Sequence, residues 1–166
     1  MTWKNHRITA LALAYAATGG IVFSFFAALS STLPDRFAGN VENHRTITHF
    51  WLVPVAAMVF LITISRQADI KPYSILLAAI FGYSAHIFTD ALSKGGIPVF
   101  GPWGEKYGLG LYITGTSSET LSTVGLVLIS ICLAMNKGYF SIIHLLDQPL
   151  VGHPIYLIIE RVKCIF

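Results

Sequence analysis

The stretch GYSAHIFTDAL, residues 82–92, carries His86 and Asp90 four residues apart in an otherwise apolar run. On a helix, side chains at i and i+4 share one face, with Cβ atoms about 6 Å apart. A neutral imidazole and a carboxylate so placed make half of a metal site. The competing reading is a His–Asp hydrogen bond that clamps two helices. A second concentration is HRTITH, residues 44–49, directly before the apolar FWLVPVAAMVFLITI. His44 and His49 are five apart, so a regular helix would turn only one of them toward a shared centre, whereas a loop or helix start could turn both. Thr46 or Thr48 is a candidate cap for the helix that follows.

Three further residues carry little weight singly. His6 precedes the first apolar run, Asp35 follows a helix-ending proline in LPDRF, and Glu119 opens the fourth run as an acid favoured by the helix dipole. Together, His6, Asp35, His44, His49, His86, Asp90 and Glu119 all fall at the ends of apolar segments. Nitrogen and carboxylate ligands without cysteine suit zinc, with manganese or iron as alternatives, in an open hydrolytic site. One to three divalent ions are expected. Two neighbouring ions would leave room for a bridging hydroxide, the pKa of water being lowered toward ~7.

Four apolar runs must position these groups: Ile8 to Ser30, Phe50 to Ser65, Tyr73 to Leu92, and Leu121 to Met135. The longest connection, KGGIPVFGPWGEKYGLGLYITGTSSE, is rich in Gly and Pro and reads as a loop with at most a turn of helix or a short strand. Gly19 and Gly20 interrupt the first run. It is either one helix of the ~20 residues that cross hydrocarbon, or two shorter helices folded back. The tail, residues 137–166, is apolar but broken by Pro149 and Pro154, so neither piece spans, and it is read as interfacial or packed on the bundle. His144, Asp147 and His153 are read as polarity near headgroups. The domain division is 1–136, membrane-embedded and hydrolase-like, and 137–166.

Of the 166 residues, 54% are hydrophobic and 11% charged, and the mean hydropathy is +0.66. A soluble domain carries about twice this charged fraction, and near-chargeless runs of ~18 residues indicate a bilayer. The fold class is therefore an all-α integral membrane protein. A net charge of +3, scattered along the chain, gives no phosphate-tracking patch, so nucleic acid is not an expected partner. Cys132 and Cys164 form no CxxC, and Cys132, inside an apolar run, reads as a small buried thiol. Lys4 and Arg7 before an apolar run imitate a secretory signal, but AALSSTLPD is a poor cleavage site, so the segment is expected to be retained.

These residues resemble a known family, the LexA-regulated, membrane-bound metal-dependent hydrolases, or YdjM-type bacterial inner-membrane proteins. The resemblance rests on His6 before an apolar run, LPD (Leu33 to Asp35), HRxxTH (His44 to His49) and HxxxD (His86 to Asp90). GGIP…GP, from Gly95 to Pro102, follows, and the likeness covers residues 5 to 135. The sequence departs from the family pattern at Ile47 and Phe50. The order of histidines and aspartates is similar, more loosely, to zinc-dependent phospholipase C and fungal single-strand nucleases, which hydrolyse phosphoesters with a zinc cluster.

The resemblance implies a multi-pass protein of the bacterial inner membrane, in contact with membrane lipids. It also favours the fold-back, because a straight spanning helix would part His6 from Asp35 by ~30 Å. The expected architecture is a helical bundle with an N-terminal helical hairpin, three to four further helices, and the Gly/Pro-rich loop before the last core helix. Basic residues divide almost evenly between the two ends, so orientation does not follow. The implied function is hydrolysis of a phosphoester on a lipid-linked substrate. His6, Asp35, His49, His86 and Asp90 would hold metal, Arg45 would neutralise a phosphate oxygen, and His44 or Glu119 would be a ligand or proton carrier. A metal or proton transporter and a scaffold with a structural metal are the competing classes. Against transport, the ionisable residues gather at one end of the segments.

Overall fold

Gly19 and Gly20 turn the chain back on itself. Gly19 adopts a left-handed backbone, φ 69°, and its N–H closes on the Tyr15 carbonyl at 2.7 Å, ending the first helix. The computed structural model describes residues 1–38, 45–67 and 74–140. In it the first apolar run is two helices, α1 (Trp3–Thr18) and α2 (Ile21–Ser30), followed by a short α3 (Leu33–Ala38). After a 3₁₀ turn at Ile47–His49 come α4 (Leu52–Gln67), α5 (Ser74–Leu92) and α6 (Ser117–Asn136). The chain is an all-α membrane protein with the N-terminal hairpin. α5 packs against α1, α2 and α4, and α6 packs against α1.

Small residues set how closely the helices approach. Ala14, Ala27 and Ala78 are fully buried between α1, α2 and α5, with Phe23, Phe26 and Phe81 filling beside them. At Gly82 a Cβ would overlap the Ala27 carbonyl and the Ser30 hydroxyl, so α5 meets the α2 backbone directly. At the C-terminal end of α1, Lys137 donates from Nζ to the Ala16 carbonyl at 2.8 Å, covering a helix-terminal acceptor with a cation.

The polarity of α6 is inverted relative to a soluble helix. Its buried residues are Glu119, Thr123, Ser130 and Ala134, while Leu121, Val124, Leu128, Ile129 and Met135 face outward. α5 and α6 are long and apolar enough to cross a membrane, and only 22% of the apolar window of α6 is buried within the protein. A soluble core helix would hide most of that surface. Cys132 is exposed on α6 and is not the buried thiol expected from its apolar surroundings.

Three local expectations change. The proline of LPDRF opens α3 as well as following α2, because Pro34 occupies a first turn, where it has no hydrogen bond to lose. The helix expected near Phe50 is preceded by a 3₁₀ turn, at whose start Thr46 gives no side-chain cap, and the Thr48 hydroxyl lies 3.1 Å from His49 Nδ1. α6 starts a turn before Leu121, placing Glu119 inside its first turn.

The Gly/Pro-rich loop is held to the end of α5. The Leu109 and Leu111 N–H groups donate to the Ala91 and Leu92 carbonyls at 2.9 Å, satisfying acceptors the helix terminus leaves open. Within it, β1 (Ile97–Pro98) pairs antiparallel with β2 (Lys106–Tyr107). His44 and residues 141–166 of the tail, with His144, Asp147, His153 and Cys164, lie outside the described residues.

Candidate metal centre

Four elements deliver side chains to one place. α1 contributes His6 in its first turns, and α2 returns the chain so that Asp35 opens α3 at the same end. The 3₁₀ turn carries His49, tied down by the Tyr83 hydroxyl, which donates to the Thr48 carbonyl. α5 carries His86 and Asp90 one turn apart on its buried face. His6, His49, His86 and Asp90 are all buried.

Their spacing is specific. His86 Nε2 is 3.0 Å from His49 Nε2. Asp35 Oδ1 lies 3.3 Å from His49 Nε2 and 3.5 Å from His86 Nε2, and Asp90 Oδ2 lies 3.5 and 3.7 Å from the same two nitrogens. Four ligands about 2.0–2.1 Å from a tetrahedral ion stand about 3.3 Å from one another. These five separations scatter around that edge length, and the donors are of the nitrogen and carboxylate types that zinc accepts. The ligand atoms of His49, His86 and Asp90 lie within 4.8 Å of one another and fit a divalent ion, with Asp35 Oδ1 beside both imidazoles as a further donor.

Asp90 also faces the other way. Its Oδ1 stands 3.5 Å from His6 Nε2 and 2.9 Å from the Met1 α-amino group, and the His6 ring stacks on His86 with centroids 3.8 Å apart. The His6 tautomer follows from its neighbour. The Thr89 hydroxyl donates its single proton to the His86 carbonyl at 2.9 Å, so at 2.9 Å from His6 Nδ1 it accepts. The Nδ1 atom then carries the proton and Nε2 a lone pair. That Nε2 is buried without a hydrogen-bond partner, so its lone pair could bind a metal ion. His6, Asp35 and His86 form a second group whose ligand atoms lie within 4.8 Å of one another.

Asp35 lies outside the spanning helices. Burial works to raise its pKa, but hydrogen bonding to His49 and His86 prevails and holds the carboxyl below the ordinary range. The group is therefore anionic, as a ligand must be.

Arg45 is placed on Asp90. Its Nε is 3.2 Å from Asp90 Oδ2, an ion pair without the alignment of a hydrogen bond, and its Nη1 reaches Ser93 Oγ at 3.2 Å and the Gly96 carbonyl at 3.1 Å. Gly95 leaves it room, since a Cβ there would overlap Nη1. The Glu119 carboxylate is occupied elsewhere. Its Oε1 accepts from the Thr2 N–H, the Thr2 hydroxyl and the Asn5 amide at 2.6, 2.8 and 2.6 Å, and its Oε2 accepts from the Gly115 N–H at 2.7 Å. Glu119 thus fastens the start of α1, next to His6, to α6 and the loop.

Two contributors escaped the sequence reading. Thr89 had a usable signal, a hydroxyl three residues after His86 on the same helix. Tyr112 had none: it comes from the loop, is buried, and donates to the Thr89 carbonyl at 2.6 Å. Burial and the nearby Asp90 charge push its phenol above the ordinary range, so it remains a donor.

No curated protein and no solved structure matches the chain. A family model described as YdjM inner membrane protein matches residues 1–146, which include every residue of the cluster and ten or so beyond the end of the likeness in motif. The chain belongs to the YdjM inner membrane protein family.

Proposed function

We propose that this protein is a multi-pass, metal-dependent hydrolase of the bacterial inner membrane that cleaves a phosphoester on a lipid-linked substrate. The observation that supports the reading is the set of separations of 3.0–3.7 Å among His49, His86, Asp35 and Asp90. A simple His–Asp clamp between helices takes one donor and one acceptor. Here three imidazoles and two carboxylates converge, at a burial where unpaired charge costs several kcal/mol.

His49, His86 and Asp90, with Asp35 beside them, would hold zinc, with manganese or iron as alternatives, and His6 with Asp35 would engage a second ion. The bound metal would supply Lewis acidity and lower the pKa of water. The protein's own groups orient and open the site. Thr89 keeps the His6 lone pair on Nε2, and Arg45 holds Asp90 in place while adding positive charge where a phosphate would approach. Asp35 and Arg45 keep side-chain exposures of 16% and 12% against 0–1% for the histidines and Asp90, so substrate would enter on their side. His44 remains the candidate proton carrier.

Against transport, Ser24 and Ser130, buried farther along the helices, serve their own backbones: Ser24 donates to the Gly20 carbonyl and Ser130 to the Leu126 carbonyl. Among the described residues they add no ionisable step to a path across. Purified protein incubated with phospholipids and polyprenyl phosphates should release a phosphorylated or dephosphorylated product. That release should stop with a chelator and return with zinc; turnover indifferent to chelation, or none on any phosphoester, would refute the reading.

A further inference from the structure

The loop between α5 and α6 turns its largest apolar side chains away from the protein. Phe100, Trp103 and Leu109 are 87%, 79% and 72% exposed, and Leu111 and Ile113 are exposed beside them. In water such surface costs about 25 cal/mol per Å². The backbone nonetheless holds them out. Leu109 and Leu111 are hydrogen-bonded to the end of α5, and Lys94 N–H donates to the Tyr112 carbonyl at 2.8 Å. Because Tyr112 points inward to Thr89, the alternation of an extended chain sends Leu111 and Ile113 outward.

Position supplies the missing partner. α5 and α6 have 19 and 20 residues, about 28–30 Å of helix, which matches a hydrocarbon core of about 30 Å. The loop joins their ends on the cluster's side, so it leaves the bilayer core at the headgroup boundary. Its apolar surface continues into the outward face of α6 at Leu121 and Val124. Trp103 and Tyr107 beside Lys94 and Lys106, with Glu105 as the loop's one acid, are the mixture suited to an anionic headgroup layer.

We propose that this loop is an interfacial shelf, lying in the boundary between headgroups and acyl chains on the cluster's side of the membrane. It would present the headgroup phosphate of a membrane lipid, rather than a soluble phosphoester, to the opening at Asp35 and Arg45. Shelf and opening are one piece, because Arg45 is hydrogen-bonded to Ser93 and Gly96 at the root of the loop. The choice of substrate rests on the hydrolase reading; the placement of the loop does not.

Trp3→Phe and Trp51→Phe leave Trp103 as the last of the three tryptophans. In phosphatidylethanolamine–phosphatidylglycerol vesicles its emission should be blue-shifted. Lipids brominated near the headgroup end of the acyl chain should quench it several-fold more strongly than aqueous iodide does. Trp51 Nε1 donates to the Val99 carbonyl at 2.9 Å, so Phe100→Cys carrying an environment-sensitive dye, in a Cys132→Ser, Cys164→Ser background that keeps Trp51, repeats the measurement. Quenching by iodide alone would place the loop in water, and shielding from both quenchers would place it against another protein surface; either overturns the proposal. With the loop in lipid, a lipid phosphoester should exceed a soluble ester of the same headgroup at least tenfold in kcat/KM, and equal use of the two would overturn the substrate choice. Cleavage of neither ester would remove the hydrolase reading and leave the placement standing.

Discussion

His86 and Asp90 could be paired from sequence because helical periodicity is a local rule, and both lie on the buried face of α5. Arg45 could not be placed that way. Its partner Asp90 is far along the chain, and nothing in the motif HRTITH announces the ion pair between them. Arg45→Lys keeps a charge but loses the fork that spans Asp90, Ser93 and Gly96. Its zinc affinity, measured by competition with a chromophoric chelator, should fall roughly ten- to hundredfold, as for other groups that orient a ligand. Unchanged affinity with slower turnover would return Arg45 to the phosphate. Thr89→Val, nearly isosteric, removes the acceptor for His6 Nδ1–H, and the same assay should register a loss of about the same size. Full affinity would mean that His6 needs no such orientation.

The four apolar runs were legible as helices, and Gly19 and Gly20 marked the turn, but only the demand that His6 meet Asp35 chose the hairpin over a single span. The close approach of α2 to α5 was not legible, because Gly82 looks like any glycine in an apolar helix until Ala27 lies against it. Gly82→Ala should destabilise the protein by about 1–3 kcal/mol through overpacking, visible as a lowered Tm in detergent; an unchanged Tm would show that the two helices part without cost. The partners of Glu119 were hidden for a different reason. A buried acid at a helix start resembles a site residue, and its partners Thr2 and Asn5 stand 117 and 114 positions away. Glu119→Ala removes the acceptor shared by part-buried donors on Thr2, Asn5 and Gly115, each lost hydrogen bond costing about 0.5–1.5 kcal/mol. The variant should lose stability and bind zinc more weakly, since the start of α1 carries His6. Weaker binding with an unchanged Tm would instead make Glu119 a ligand.

At the scale of the whole molecule, a helical hairpin, two long apolar helices and a loop folded onto the end of α5 bring polar chemistry to one end of an otherwise lipid-facing bundle. The family match places the chain in a membrane, and the outward apolar face of α6 agrees with that setting. The central claim is that this end holds a divalent metal. Its most direct test is elemental mass spectrometry on protein purified without chelator, comparing the wild-type chain with His86→Ala and Asp90→Ala, each verified as helical by circular dichroism. The account predicts at least one equivalent of zinc, manganese or iron per wild-type chain and a loss of most of it in both variants. Folded wild-type protein that neither retains nor takes up such an ion, or variants that keep their full complement, would contradict it.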